Sequence, residues 1–133
     1  MIVAVADTHT ILWYLFGDSR LSDVAKKYID QASIRQENIG VSSITLAEVL
    51  YLAEKKRVPS DTLSRLIQTL HIPGGVFVEI PLDSTVIQRM EKVPRDQVPE
   101  LPDRIIAGTA LSLTVPLISR DRQIRTSSVQ TIW

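Results

Sequence analysis

Five consecutive apolar residues open the chain at positions 2–6 (IVAVA) and stop at Asp7-Thr8-His9. A strand with one wet face alternates apolar and polar residues, so an unbroken run predicts a strand covered on both faces, ending in polar groups. Val24, Ala25, Tyr28, Ile29 and Ala32 then recur at the spacing of one helical face. That predicts a helix over 22–33 with Ser22 as its cap. A short apolar stretch at 39–41 gives way to Ser42, Ser43 and Thr45, and to a long helical segment ending in Glu54-Lys55-Lys56-Arg57 and Pro59. Basic residues suit a helix C-terminus. From Ser60 a further helix carries Leu63, Leu66, Ile67 and Leu70, until Pro73-Gly74-Gly75 stops it. Residues 76–80 (VFVEI) read as a strand. Asp83 is placed to cap a helix with Val86, Ile87, Met90 and Val93 on one face. A loop with Pro94, Pro99 and Pro102 delivers the chain to Asp103, from which DRIIAGTALSLT is helical, with Gly108 allowing close packing. Residues 115–118 form a last interior strand with proline near its start, and 129–133 add an edge strand.

Strands alternating with helices imply parallel pairing, hence the α/β class: a central parallel sheet of four to five strands flanked by helices on both faces. No repeat, low-complexity tract or linker interrupts it, and a single domain over 1–133 is expected. In open sheets of this kind ligands bind beyond the carboxyl ends of the strands. Asp7 and Asp121 fall at two such ends. Glu48 and Asp103 fall near the N-termini of helices that open at the same rim.

Composition narrows the chemistry. With 44% hydrophobic and 23% charged residues the chain has enough apolar surface to build a core, which excludes a disordered segment. No apolar stretch approaches the ~18 residues of a membrane span. No basic leader precedes the first strand, so secretion is not indicated and the cytoplasm is the expected location. The absence of cysteine excludes disulfides and thiolate metal sites, and His9 and His71 are too few for structural zinc, so a metal here would use oxygen ligands. Fifteen basic residues balance fifteen acidic ones. A nucleic-acid partner would therefore need a local basic patch rather than a global field.

Each rim acid has an ordinary reading beside the chemical one. Asp7 fits a turn after a strand, yet a charge directly after five apolar residues must be solvated or paired. Thr45-Leu-Ala-Glu48 fits a capping box. Alternatively, a helix starting at Ser43 puts Glu48 on a face with Ile44, Ala47, Tyr51 and Leu52, where an unpaired carboxylate is expensive. Asp103 fits an N-cap after Pro102, and Asp121 between Arg120 and Arg122 fits a surface ion pair. Taken together the four acids point elsewhere. Two carboxylates ~4 Å apart repel by roughly 4 kcal/mol at an effective dielectric of 20, so clustering them needs a counter-charge. Magnesium or manganese accepts a few carboxylates and completes its shell with waters and phosphate oxygens, which suits phosphodiester hydrolysis.

Asp7-Thr8-His9, TLAEVL around Glu48, DRIIAGTAL from Asp103 and PLISRDRQI around Asp121 resemble the PIN-domain nucleases, and most closely the VapC-type toxins. The likeness runs nearly end to end and includes Leu12-Trp13 and Leu21-Ser22. It implies a cleft in which Asp7, Glu48, Asp103 and Asp121 bind magnesium or manganese, and cleavage of RNA to a 5′-phosphate and a 3′-hydroxyl. It implies Ser119 as a hydroxyl supporting the acids, a homodimer, and a small antitoxin whose tail blocks the cleft. Arg104, Arg120, Arg122 and Arg125 are candidates for the basic rim, since arginine binds phosphate bidentately. Lys55-Lys56-Arg57 reads as a helix end, and His9 as a structural group with a minor catalytic alternative. A PIN-like module that binds RNA or protein without useful catalysis is the alternative reading. An aspartate-nucleophile phosphatase lacks its second aspartate two positions after Asp7, and a phospho-accepting receiver lacks its acid pair at Ala6-Asp7.

Overall fold

The structure, a computed structural model, describes residues 1–133. Five strands form one parallel sheet in the order β3-β2-β1-β4-β5, comprising β1 (Ile2–Ala6), β2 (Asn38–Ser42), β3 (Phe77–Ile80), β4 (Leu117–Ile118) and β5 (Thr131–Ile132). Seven helices connect them: α1 (Thr8–Phe16), α2 (Asp23–Ile34), α3 (Ser43–Glu54), α4 (Thr62–Leu70), α5 (Ser84–Met90), α6 (Leu101–Leu113) and α7 (Arg122–Arg125). None is long and apolar enough to cross a membrane.

The side-chain alternation of the strands separates two cores. Ala4, Ala6 and Ile118 face one side and pack with Ile11 and Trp13 of α1, Ile29 of α2, Val49 of α3 and Leu66 of α4. Val5 and Leu117 face the other side and pack with Ile106 and Ala110 of α6, Ile124 of α7, and Val93 and Val98 of the α5–α6 loop. Helices therefore cover both faces, which is why the central strand reads as unbroken apolar sequence. Gly108 sits where α6 meets α5, and a Cβ there would stand 3.1 Å from the Val86 carbonyl oxygen and 3.2 Å from Met90 Cα. Backbone on backbone leaves no room for a side chain.

Four expectations change. Residues 8–16, unassigned by periodicity, form α1: TILWYLF has no polar face to reveal a helical period, and Ile11, Leu12 and Trp13 are all buried. Asp7 caps it by accepting from Thr10 N at 2.9 Å, and Gly17 ends it in the left-handed region. The helix expected from Ser60 begins at Thr62, because Thr62 turns back to the Pro59 carbonyl through both its amide and its hydroxyl. The helix expected from Asp103 begins at Leu101, since proline is tolerated in a first helical turn, where its missing N–H has no intrahelical partner to lose. Finally, Ile87 is exposed although its period matches Val86 and Met90, because α5 is only seven residues long and buries Val86 alone.

The sheet order fixes where chemistry can be placed. From β1 the chain runs outward to β2 and β3 and then returns to pair β4 on the other side of β1. The strand order thus reverses between β1 and β4, and a crevice opens beyond their carboxyl ends. Ala6 pairs with Ile118, and Asp7 N donates to the Ile118 carbonyl at 3.2 Å. Asp7 and the Ser119–Asp121 turn are thereby held side by side.

Candidate active site

The crevice is a cavity of about 450 Å³, and Asp7, Glu48, Asp103 and Asp121 all line it. Each comes from a different element, and the local fold explains each position.

Asp7 follows β1 and is held by its capping bond, which leaves its second carboxyl oxygen unused by that bond. Glu48 lies one and a half turns into α3. The helix is capped by Ser42, which accepts from Ile44 N, while Thr45 is buried inside the first turn. The capping box expected for Thr45 and Glu48 therefore does not form. Instead Glu48 Oε1 accepts from the Thr8 hydroxyl at 2.6 Å, and Thr8 Oγ1 lies 3.1 Å from Thr45 Oγ1. A hydroxyl has one proton to donate. With the Thr8 proton committed to Glu48, Thr45 donates to Thr8, and the pair orients Glu48 from below.

Asp103 is not the cap of α6 but a residue of its first turn, with Glu100 at the cap position making no side-chain bond. Burial pushes the Asp103 carboxyl up to about 7, and the charges of Asp121, Glu48, Asp7 and Glu100 push in the same direction. Glu48 is also raised, first by burial; the Thr8 bond and nearby His9 pull it down, and Asp7 pushes it up. These mutual effects report that the acids lie within electrostatic reach of one another. Asp121 caps α7 by accepting from Ile124 N at 3.1 Å, and forms no ion pair with its flanking arginines. Ser119 is fully buried, and its hydroxyl accepts from Asp121 N at 3.0 Å, which fixes the turn that presents Asp121.

The molecule's two side-chain ion pairs, Arg20–Asp18 and Lys26–Asp30, both lie outside the acid group. The cleft carboxylates thus face one another without a protein cation paired to them. No group of three or more His, Asp or Glu side chains is arranged to hold a metal ion by itself. The donor set fits a hard divalent ion that takes one or two carboxylates directly and keeps several waters, the habit of magnesium. An all-protein cage is not what such an ion requires.

Of the candidate rim cations, Arg120 and Arg122 line the cavity. Arg104 does not: its guanidinium donates to the carbonyls of Val93 and Met90, both at 3.1 Å, and pins the α5–α6 loop. That is a correction to its expected place on the rim, and it follows from helix geometry: with Asp103 lining the cleft, the next residue of α6 points about 100° around the axis, toward the α5–α6 loop. Arg125 ends α7 and does not line the cavity either. His9 is exposed and lines the cavity, stacked on Trp13. Sequence reasoning missed Glu100 at the cavity wall and the Thr45 hydroxyl beneath Glu48. Glu100 stands one helical turn before Asp103, a spacing that would have revealed it once the helix start was known.

A family model described as PIN domain matches residues 4–127. Among curated proteins none matches the chain. Among solved structures, a chain of DNA-bound VapBC from Salmonella typhimurium is similar at TM-score 0.73 and 17% identity, covering 98% of this chain and 97% of that one. VapBC2 from Rickettsia felis, bound to a DNA fragment from their promoter, gives 0.71 and 15%, with 98% and 97% covered. A toxin–antitoxin complex from Klebsiella pneumoniae gives 0.65 and 24%, with 92% and 91% covered.

Proposed function

Because the chain belongs to the PIN-domain family, we propose that it is an endoribonuclease that uses magnesium or manganese to hydrolyse RNA phosphodiesters by direct attack of water, with residues 1–133 acting as one nuclease domain. The observation that carries this reading is the single cavity lined by Asp7, Glu48, Asp103 and Asp121, in which burial and then its acidic neighbours raise Asp103 and none of the four is paired with a protein cation.

One or two of Asp7, Glu48, Asp103 and Asp121 would hold the ion directly, and the others would reach it through its waters. Bound there, it would supply a water of lowered pKa and neutralise charge on the phosphorus oxygens. The chain's own groups do the positioning. The amides of Thr10 and Ile124 fix Asp7 and Asp121, the Thr45–Thr8 pair fixes Glu48, and Ser119 holds the turn behind Asp121. Arg120 and Arg122 offset the acidic field at the mouth, so that a phosphate can approach. As its biological setting we propose the toxin of a toxin–antitoxin pair, a reading supported by its similarity to a chain of a toxin–antitoxin complex from Klebsiella pneumoniae; that it acts in the cytoplasm as a homodimer whose cleft a small antitoxin blocks is proposed from the motif resemblance alone.

The test is incubation of the purified protein with mixed single-stranded RNA in magnesium, manganese or chelator. Cleavage that needs metal, leaves 5′-phosphates and is lost in Asp7→Asn is expected. Asparagine caps helices as well as aspartate, so that variant keeps its fold. Cleavage that survives chelation or Asp7→Asn contradicts the proposal, and RNA binding without cleavage in metal favours a catalytically silent binding module.

A further inference from the structure

Beside the acids the cavity has a second wall, built on one indole. Trp13 is 6% exposed because several planar groups cover it. The His9 ring stacks on it at 5.4 Å and 20°, Arg120 lies over it at 4.6 Å, Arg20 at 5.1 Å, and Trp133 meets it edge-on at 5.9 Å. Arg20 is committed elsewhere, bridging Asp18 at 2.7 Å. Arg120 is not. It comes from the turn after β4, and although it stands in a cavity with four carboxylates it takes part in neither ion pair of the molecule. The indole holds its guanidinium in place while its N–H donors stay available, and a guanidinium so fixed suits bidentate contact with a phosphate.

His9 and Trp13 are four residues apart on α1, and such a stack by itself is ordinary helix-surface pairing. What goes beyond that is the combination. His9 is exposed, lines the acid cavity, and is the ring through which a ligand would meet this wall, since Trp13 beneath it is almost wholly covered. A rigid, flat, wet ring beside an unpaired guanidinium and a group of carboxylates matches a nucleotide unit: a base to stack, a phosphate to clamp, and a neighbouring phosphodiester at the acids.

We propose that His9, backed by Trp13, is a stacking platform for one unpaired nucleobase of the RNA, and that Arg120 clamps the adjoining phosphate. This deepens the nuclease reading and rests on it for the identity of the ligand. A base inside a duplex is already stacked on both faces, so the platform selects an unpaired one.

The test measures binding, in chelator so that nothing is cut, of a fluorescent single-stranded RNA dodecamer, long enough for its duplex to be stable, to the full chain by anisotropy. A blunt duplex of the same length is the comparison. His9→Ala is expected to weaken single-strand binding about tenfold, the scale of one lost base stack, and His9→Phe to restore it. Arg120→Lys, which keeps the charge but not the planar fork, is expected to bind more weakly than wild type. Equal affinity of His9→Ala and wild type, failure of His9→Phe to restore binding, or equal affinity for duplex and single strand would each overturn the platform. If His9→Ala does not fold, wild type against His9→Phe and single strand against duplex still decide. Metal-dependent cleavage with His9-independent binding removes the platform and keeps the nuclease; His9-dependent binding with no cleavage in any metal does the reverse.

Discussion

Replacing Asp103 with asparagine is predicted to make the metal-free protein more stable, and to do so only above acidic pH. The Asp103 carboxyl stands at about 7 in the folded chain against an ordinary 3.8, with burial as the first cause and three cleft acids and Glu100 behind it. A folded-state pKa above the unfolded one means that the native state binds the proton more tightly, so stability is full below pH ~4 and declines as pH rises to ~7. About three pH units at ~1.4 kcal/mol each give roughly 4 kcal/mol, and since Asp103 is only partly buried, solvent screening brings the expected penalty to about 2 kcal/mol. Asparagine removes this penalty and loses no capping bond, because Asp103 makes none. For a chain of this size ~2 kcal/mol corresponds to a rise of roughly 6–8 °C in the thermal midpoint. The assay is circular dichroism melting of both proteins in chelator from pH 4 to pH 8. The two should coincide at pH 4 and separate progressively to pH 7. A difference that is independent of pH, or a variant less stable at pH 8, would refute the claim that ionising Asp103, buried and beside other acids, strains this site.

Three further predictions follow from the geometry. Thr45→Val removes the hydroxyl that donates to Thr8 and should weaken manganese binding and lower kcat, while Thr45→Ser restores both; equal behaviour of the two variants in calorimetry and kinetics would show that the hydroxyl does not orient Glu48. Arg104→Ala breaks bonds from a charged donor to the Met90 and Val93 carbonyls and should cost about 2 kcal/mol in urea denaturation without changing RNA affinity; reduced affinity in the folded variant would return Arg104 to the substrate rim. Gly108→Ala drives a methyl group against the backbone of α5 and should destabilise by roughly 1–3 kcal/mol, and a neutral effect on the melting midpoint would show that α5 can move away.

What was legible in the sequence was whatever a short-range pattern encodes. The run at 2–6 announced β1 by its unbroken apolar sequence, and Ser22 and Asp83 announced the starts of α2 and α5 through hydrogen bonds made three residues on. The parallel sheet with helices on both faces followed from alternation alone, and the strand order then explains why acids at positions 7 and 121 share one rim. Where a helix carries apolar residues all round, periodicity is silent, which is why the pattern does not reveal α1 despite the Asp7 cap at its start. Partners chosen across the fold were also invisible. Glu48 has a plausible local partner in Thr45 by spacing, but the bond it makes is to Thr8, forty residues away. Arg104 looked like a rim cation until the helix register directed it to carbonyls of the preceding loop. Local rules propose such bonds, and tertiary packing selects among them.

Anomalous diffraction from crystals of this protein soaked in manganese addresses the central claim most directly, because it locates the ion without relying on activity. A single region of anomalous density in the cavity between Asp7 and Asp103, lost in the Asp7→Asn variant, is the predicted result. Density confined to other surfaces, or none at millimolar manganese in crystals whose cleft is open to solvent, would contradict it.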